Sequence, residues 1–438
     1  MPDFFQTLIA TIAVGSLYAL VALGYTLVYG ILKFINFAHS DVFVLGAWTT
    51  FASSTFILSR LNVEAEAAPW WVGVCVLLLA IAVCSTAGYL IERFAYRPLR
   101  KAPRLTVLIT AIGVSLLMQN LGQLPGWVIA RGPDRIVTKA EAALTPKDRE
   151  GDVTIANGTA TIRYPGDPLA TIPFGASPKR APTLLPDAVL NESVVSRGIV
   201  SGGSKRGLLT LDHPITLAPQ RGYRLEMVRD DADHRTETLN LAVDPGQYAA
   251  GVELATQPRR NPADVDGATY RLLQDPLVPI RLLDVLIVGS SIVLMLALQW
   301  LVFATRFGAA MRAVSFNFDN ASLMGINVGF VVSVTFVLGS SLAAAAAFLY
   351  AMKYPGLQQT ASGVWVLLGL KAFVAAVVGG IGNVRGAVLG GFLIAGIEFF
   401  GARYISTELR DVYVFGLLIV VLLVRPSGLL GSTVRVKV

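Results

Sequence analysis

The sequence predicts an all-α polytopic membrane protein with about 8–10 transmembrane helices and an inserted extracytoplasmic domain rich in β-strands. Of its 438 residues, 54% are hydrophobic and only 15% are charged, and the mean hydropathy is +0.61. A soluble domain carries roughly 25% charged residues, so this composition indicates that much of the chain lies in a bilayer. Several apolar runs also reach the roughly 20 residues that a helix needs to cross it.

Nine apolar segments are predicted to form membrane helices. They are residues 6–30, 41–59, 70–91, 105–123, 282–304, 328–350, 362–378, 386–402 and 405–424. The segments after residue 360 are short and rich in glycine. This favours helices that pack inside a bundle, some of which do not span the bilayer fully.

The charged residues divide the chain into three parts. Residues 131–280 contain 18 of the 36 Lys and Arg residues and 19 of the 29 Asp and Glu residues, so this part is nearly neutral. The flanking residues 1–130 and 281–438 therefore carry the whole basic excess. We predict helices 1–4 in residues 1–130, a β-rich insert in 131–280 and helices 5–9 in 281–438.

Three short basic segments predict the orientation of the helices. They are ERFAYRPLRKAPR (92–104), TRFGAAMR (305–312) and RPSGLLGSTVRVKV (425–438). Cytoplasmic loops carry an excess of Lys and Arg, which places all three in the cytoplasm. Counting spans from them places the N-terminus and residues 131–280 outside and the C-terminus in the cytoplasm.

The 131–280 insert is typical of β-structure. Residues 153–164, VTIANGTATIRY, alternate apolar and polar positions on either side of Asn157-Gly158, the favoured two-residue hairpin turn. Residues 208–217, 223–228 and 236–243 are predicted to be further strands, whereas the glycine-containing residues 196–207 are predicted to form a flexible loop.

The insert and the two cysteines offer few candidate catalytic or metal-binding residues. His213 and His234 are isolated, and we interpret both as surface residues. The insert shows no cluster of metal ligands and no nucleophile–base pair, which favours a small docking or shielding domain without catalysis. Cys75 and Cys84 lie about 13 Å apart along one predicted helix, too far for a disulfide, and are interpreted as small apolar core residues.

The N-terminal residues 15–48 carry a family pattern. They read GSLYALVALGYTLVYGILKFINFAHSDVFVLGAW and resemble the first region of Liv-type ABC permeases, which import branched-chain amino acids. Further segments are similar to that family in the same order: residues 91–100, 110–120, 369–391 and 422–431. The chain departs from the pattern at Ser40, where the family usually has glycine, and in its insert of about 150 residues, which the family usually has much shorter.

The resemblance implies a permease subunit of an ABC importer in the bacterial cytoplasmic (inner) membrane. Such a subunit forms the path for branched-chain or related amino acids and is not itself an enzyme. The sequence lacks the P-loop pattern Gly-x4-Gly-Lys-Ser/Thr, so no cofactor or metal is expected here and ATP with Mg²⁺ is expected on another chain. The implied partners are two ATP-binding subunits, a second permease subunit identical or related to this one, and an extracytoplasmic solute-binding protein. No nucleic acid is expected.

Residues 305–328, TRFGAAMRAVSFNFDNASLMGINV, correspond to the coupling segment that the resemblance implies. Small residues would allow another chain to approach, two arginines would pair with its acidic groups, Asn320 would cap a helix, and two apolar side chains would insert into a groove. The candidate coupling residues are Arg306, Gly308, Arg312, Ala313, Asn320, Leu323, Met324 and Gly325.

Polar residues at membrane depth are costly and tend to face the bundle interior or an aqueous path. The candidates are Asn36, His39, Gln119, Asn120, Gln299 and Glu398. For several of them a structural role remains an alternative: His39 is predicted near the cytoplasmic end, where it would cap a helix, and Gln119 and Asn120 would end one. An ion pair with Arg403 would account for Glu398.

Six glycines in residues 377–391 are predicted to allow a tight turn and close helix packing, with gating as a second role. They are Gly379, Gly380, Gly382, Gly386, Gly390 and Gly391.

Other functions stay open at this stage. The chain would fit a membrane-anchored extracytoplasmic β module with a sensor or scaffold role, but such an anchor has no use for a docked cytoplasmic helix at 305–328. A permease for urea or short amides is equally compatible with the residues. A channel or secondary carrier is disfavoured because no chain of intramembrane carboxylates marks a proton-driven mechanism.

Overall fold

The chain forms two compact units in a computed structural model. One comprises Met1–Ile9 with Asp187–Leu282, and the other comprises Ala10–Pro186 with Leu283–Val438. The described residues are 2–63, 68–100, 102–121, 128–131, 135–138, 152–156, 159–164, 168–171, 179–180, 182–185, 188–204, 208–211, 215–217, 223–228, 236–240, 246–248, 253–255, 269–274, 276–357 and 363–431.

Long apolar helices dominate the second unit. The helices are α1 (Pro2–Leu32), α2 (Ala38–Leu61), α3 (Trp70–Leu90), α4 (Arg104–Leu121), α5 (Leu282–Ala304), α6 (Arg306–Phe316), α7 (Phe318–Leu323), α8 (Val328–Lys353), α9 (Gly363–Gly379), α10 (Val384–Tyr404) and α11 (Arg410–Val424). Each predicted span coincides with one of them, and α6 and α7 occupy the segment between the fifth and sixth spans. Among the described residues, six helices are long and apolar enough to cross a membrane, and two shorter apolar helices accompany them. The predicted helical, multi-pass membrane fold is confirmed.

In the helical unit α2, α3 and α8 pack against one another, and α9 packs against α10. Small residues bring these helices close together. Gly46 on α2 faces Ala344 and Ala347 on α8, and Gly88 on α3 faces Ser340 of the same helix. Membrane helices associate through such small-residue contacts because lipid tails supply no hydrophobic driving force between them.

The β-structure lies between α4 and α5, with one further short strand after α8. The strands are β1 (Val128–Arg131), β2 (Arg135–Thr138), β3 (Asp152–Ala156), β4 (Thr159–Tyr164), β5 (Pro168–Thr171), β6 (Lys179–Arg180), β7 (Ser193–Ser204), β8 (Leu208–Leu211), β9 (Ile215–Leu217), β10 (Tyr223–Val228), β11 (Thr236–Asn240), β12 (Gly246–Tyr248), β13 (Glu253–Ala255), β14 (Thr269–Gln274) and β15 (Gly356–Leu357).

The smaller unit is built on a six-stranded antiparallel sheet in the order β11-β10-β14-β7-β8-β13, together with the pair β9-β12. The strands before it, β1 to β6, belong to the helical unit, where β6 pairs with β15. The compact β unit therefore begins at Asp187, later than the predicted boundary at residue 131, because the early strands pair among themselves and with the α8–α9 connection.

The two strands of the 153–164 hairpin and the strands at 223–228 and 236–243 are confirmed, whereas the single strand predicted for 208–217 is divided into β8 and β9 and the loop predicted for 196–207 is wrong. β3 and β4 pair antiparallel with Ala156 opposite Thr159, as the hairpin requires, although Asn157-Gly158 itself lies outside the described residues. The prediction for 223–228 matches β10. Residues 196–207 were expected to be a loop, but most of them belong to β7, which pairs with both β14 and β8. Residues 193–199 pair with β14 and residues 200–204 pair with β8, so strand pairing along the whole run overrides its local preference.

The cysteines are both free, as their spacing predicts. Cys84 is buried, but Cys75 is exposed, so the core interpretation is wrong for Cys75, which lies on the outward face of α3. His213 and His234 lie outside the described residues. Among the residues that the structure describes, no group of three or more His, Cys, Asp or Glu side chains is placed to hold a metal ion.

Candidate functional site

The 305–328 segment is a series of short helices that begin at side-chain caps. Thr305 Oγ1 accepts a hydrogen bond from Gly308 N at 3.0 Å, and Asn317 Oδ1 accepts one from Asn320 N at 2.9 Å. Asn327 Oδ1 accepts from Phe330 N at 3.0 Å, where α8 begins. Each cap satisfies an N–H group that the helix leaves unpaired, so the segment has defined turns.

The cap of α7 is Asn317, and the prediction of Asn320 as the cap is wrong. Asn320 lies inside α7, because Phe318 and Asp319 already belong to the helix. Gly325, just after α7, has φ +81°. Glycine reaches this left-handed conformation without a Cβ penalty, which explains why α7 stops there.

Gly308 and Ala313 differ in their surroundings. Gly308 is buried, and a Cβ added to it would overlap the carbonyl groups of Leu301 and Val302 at the end of α5. Its small size is therefore required by its own chain and not by an approaching partner. Ala313 is exposed on the other side of α6.

The two arginines of α6 also differ. The Arg312 guanidinium donates a hydrogen bond to Val302 O and lies 5.8 Å from the centre of the Phe303 ring. It thus occupies a carbonyl that the end of α5 leaves unpaired, a contact within the chain in place of the expected pairing with a partner. Arg306 is exposed at the first position of α6.

Three large apolar side chains project from the segment into the surroundings. Leu323 is 84% exposed, Met324 83% and Phe316 91%. The sequence analysis selected Leu323 and Met324 but missed Phe316. Met311 and Val314 are the buried positions of α6, and Phe316, two residues after Val314, falls on the opposite side. This helical spacing in the sequence could have predicted that Phe316 is exposed.

Glu398, one of the predicted path residues, is part of a buried ion pair. Lys371 Nζ lies 2.9 Å from Glu398 Oε1, and the hydroxyl of Tyr18 donates to Glu398 Oε2 at 2.8 Å. The same Lys371 Nζ lies 2.6 Å from Asp411 Oδ1. The ion-pair partner that the structure gives Glu398 is therefore Lys371 on α9, not the expected Arg403, and Lys371 was not selected from the sequence.

Asn36, in the break between α1 and α2, and His39, just after it, are both buried. Asn36 Oδ1 accepts a hydrogen bond from the Tyr96 hydroxyl at 2.7 Å, and the His39 ring lies 4.6 Å from that of Tyr25. A Cβ on Gly24 would overlap the imidazole, and Gly339 faces the same ring. His39 is the second residue of α2, so it lies near a helix end as expected, and its ring is buried against α1 and α8.

Gln119 joins a polar cluster around Asp41, a residue that the sequence analysis did not select. Gln119 Nε2 donates to Asp41 Oδ1 at 3.1 Å, and Ser115 Oγ donates to Asp41 Oδ2. Asp41 is 5% exposed. Gln119 therefore links α4 to α2 and does not simply end its helix.

Asn120 and Gln299 lie outside the interior of the bundle. Asn120 is exposed and donates to the Leu116 carbonyl of its own helix at 2.7 Å. Gln299 is exposed on α5 and lines a shallow groove against α10. Asn120 is the last residue but one of α4, which agrees with the alternative that it ends the helix, and Gln299 faces the groove and not the bundle interior.

The six selected glycines lie at a turn and at helix contacts. Gly380 and Gly382 have φ values of +111° and +91° in the turn between α9 and α10. Gly379 and Gly386 face each other's backbone across that turn. A Cβ on Gly390 would meet Ala375 O, and one on Gly391 would lie 2.6 Å from Ala19 N on α1.

The fold and these sites define a multi-pass membrane protein of the transporter class. Its helices are apolar and of membrane length, their bundle encloses ion pairs and polar contacts, and a capped helical segment lies between two spans. The family described as "Branched-chain amino acid transport system / permease component" matches residues 7–144 and 260–422. The chain belongs to this family and is a transport permease component. The match leaves out residues 145–259, most of the β-rich part.

Named relatives cover the chain along its length. The high-affinity branched-chain amino acid transport system permease protein BraD of Pseudomonas aeruginosa is 30% identical, over 98% of each chain. The LivH protein of the same description from Escherichia coli is 27% identical, over 98% of this chain and 96% of the relative. A probable branched-chain amino acid transport permease protein LivH of Methanocaldococcus jannaschii is 30% identical, over 32% of this chain and 45% of the relative. No solved structure is significantly similar to the chain.

Proposed function

We propose that this chain forms the translocation path of an ABC importer for branched-chain amino acids and receives motion from an ATP-hydrolysing subunit through residues 305–328. The substrate class is supported by the printed descriptions of BraD and LivH, which align with nearly the whole chain. Related amino acids fall within the same chemistry.

The exposed apolar tip formed by Phe316, Leu323 and Met324 is the observation that carries the coupling role. An isolated loop would lose conformational entropy on docking, but α6 and α7 are fixed by the caps at Thr305 and Asn317. The buried Met311 and Val314 hold α6 against the bundle. A push on the tip is therefore transmitted to α5 and α8 rather than absorbed by the segment.

The partners follow from what the sequence lacks and where its charges lie. With no P-loop pattern in the sequence, ATP and Mg²⁺ are bound by two separate ATP-binding subunits. A second permease chain completes the path, and an extracytoplasmic solute-binding protein delivers the amino acid. The chain lies in the bacterial inner membrane. The distribution of basic residues favours a cytoplasmic 305–328 segment and an extracytoplasmic β unit.

The path itself is assigned to the polar positions inside the bundle. The Lys371–Glu398 pair and the Asp41 cluster place charge within apolar surroundings, where it is rarely retained without a function. The left-handed glycines between α9 and α10 supply a turn at which these helices shift relative to each other. Selectivity rests with the binding protein, so a dense binding constellation in the path is unnecessary.

The test of the coupling role removes the apolar tip without disturbing the fold. In the variant Leu323→Ala with Met324→Ala, both side chains are exposed, so folding and membrane insertion should be retained. We expect the ATP-binding subunits to co-purify at a small fraction of the wild-type level and uptake to fall in parallel. Ser322→Ala, an exposed neighbour on the same helix, is the matched control and should change neither.

Wild-type levels of both co-purification and uptake in the double variant would show that the tip is not the docking surface. Loss of co-purification in Ser322→Ala as well would point to unfolding of α7 and not to the apolar contact. Circular dichroism of the purified variants checks that the helical bundle as a whole stays folded.

A further inference from the structure

A groove between α5 and α10 is not used by the proposed mechanism. It encloses 280 Å³ and is open along one side. Its lining residues are Ile292, Met295, Leu296 and Gln299 on α5 and Val384, Arg385 and Val388 on α10. The four residues of α5 follow the spacing i, i+3, i+4, i+7, so they form a single stripe along one helix face.

The polarity of the groove changes along its length. On α5 the apolar Ile292, Met295 and Leu296 come first, and Gln299 follows towards the end of the helix at Ala304. On α10, Arg385 is the second residue and Val388 lies about one turn further along the helix. Gln299 and Arg385 lie near the helix ends at Ala304 and Val384 and form the polar end of the groove. Val384 also lies at this end, whereas Ile292, Met295, Leu296 and Val388 lie further along the two helices.

The polar end lies at the depth of the lipid headgroups. Trp300, next to Gln299, is 66% exposed, and tryptophan is enriched at the membrane–water interface. Arg306 and the capped 305–328 segment begin a few residues further on. Arg385 is exposed, and among the described residues it makes no ion pair, while Asn383 already accepts the N–H groups of Arg385 and Gly386.

We propose that this groove binds an anionic phospholipid of the leaflet into which Arg385 projects. The acyl chains pack along Ile292, Met295 and Leu296, and the phosphate lies against the Arg385 guanidinium and the Gln299 amide. The order from apolar to cationic matches the order of groups along such a lipid. An unpaired arginine beside an apolar stripe at headgroup depth attracts an anionic headgroup in preference to a zwitterionic one.

The experiment compares two lipids with the same acyl chains, phosphatidylglycerol and phosphatidylcholine, bound to the purified full-length chain and counted by native mass spectrometry. We expect the wild type to retain phosphatidylglycerol preferentially and Arg385→Gln to lower the ratio of the two lipids roughly fivefold. Arg385→Lys should keep the preference. Met295→Trp should reduce binding of both lipids, because the indole fills the groove.

Arg93→Gln is the matched control, since Arg93 is also exposed but lies outside the groove, in the basic segment 92–104. Its lipid ratio should equal that of the wild type. An unchanged ratio in Arg385→Gln would overturn the proposal. So would a Met295→Trp variant that keeps both lipids but no longer associates with the second permease chain, because the groove would then be a subunit interface.

Discussion

Lys371 and Glu398 form a buried ion pair between α9 and α10, with 2.9 Å between Nζ and Oε1. The side chains are 8% and 4% exposed, so water screens the pair little. Tyr18 on α1 donates to the same carboxylate, and Asp411 on α11 contacts the same ammonium group. One pair thus connects four helices of the bundle.

Removing one partner of this pair should destabilise the protein strongly. Lys371→Met leaves the Glu398 carboxylate buried without its nearest cation, which costs about 3–5 kcal/mol in comparable buried pairs. The double variant Lys371→Met with Glu398→Leu removes both charges, and its loss should be smaller than that of the single variant. Unfolding of the purified protein in mild detergent, followed by circular dichroism, gives the free energy of unfolding of each.

Arg410→Gln is the control for this series. Arg410 Nε lies 3.8 Å from Glu398 Oε1, and its side chain is 41% exposed, so its loss should change the free energy of unfolding by less than about 1 kcal/mol. Equal destabilisation by Lys371→Met and Arg410→Gln would contradict the assignment of Lys371 as the dominant partner of Glu398.

The sequence was sufficient for the helices but not for their contacts. Apolar runs of membrane length predicted every span, because a bilayer imposes length and composition on a helix. The partner of Glu398 was not predictable, since Lys371 is 27 residues away and reaches it only through the packing of α9 on α10. Asp41 was overlooked for the same reason: Ser115 and Gln119 meet it across 74 and 78 residues of sequence.

In the 305–328 segment, too, the sequence predicted the position of the helices but not their contacts. The segment's position and the exposed Leu323 and Met324 follow from the sequence pattern, whereas Gly308 was selected as a small residue that admits a partner. The reason for its size, the carbonyl groups of Leu301 and Val302, depends on how α6 folds back on α5. Tertiary geometry also decided between Asn317 and Asn320 as the cap, two residues that are equivalent by composition.

Close helix packing should depend on Gly391. A Cβ there would lie 2.6 Å from Ala19 N and 2.8 Å from Ala19 Cα, so α1 and α10 would have to move apart. Gly391→Ala should lower the free energy of unfolding by about 1–3 kcal/mol, as overpacking does in other cores. Gly416→Ala on α11, where a Cβ would meet nothing within 4 Å, should be neutral or slightly stabilising. Thermal unfolding curves of the two variants in the same detergent make the comparison, and equal midpoints would refute it.

The orientation of the chain can be tested with single cysteines. In a Cys75→Ser background, Val195→Cys in β7 and Ser322→Cys in α7 place thiols at exposed positions of the two units. A membrane-impermeant maleimide added to intact cells should label residue 195 and leave residue 322 unlabelled until the cells are opened, because the positive-inside rule predicts that α7 is cytoplasmic. The reverse labelling pattern would invert the topology and remove the basis for the coupling role.

The ends of the β unit lie side by side. Leu190 N donates to Ile280 O at 2.8 Å, and Leu282 N donates to Ala188 O at 2.8 Å. Asn191 adds hydrogen bonds to Val278 O and from Ile280 N. The chain therefore enters and leaves this unit through a paired stem, which a short linker can close without displacing α5.

Deleting residues 193–277 and bridging Glu192 to Val278 with Gly-Ser-Gly should test whether the unit docks the binding protein. We expect membrane insertion and association with the ATP-binding subunits to persist, because the stem that precedes α5 is retained. Uptake should fall chiefly at low concentrations of binding protein and recover as its concentration rises, since a weakened docking surface raises the concentration needed for half-maximal uptake.

Uptake measured in proteoliposomes over a range of binding-protein concentrations gives this dependence. The control is a Gly-Ser-Gly insertion after Gln274, which leaves the sheet in place. Unchanged uptake at every concentration would exclude docking as the role of the unit, and a uniform loss that no concentration restores would assign it to the path itself.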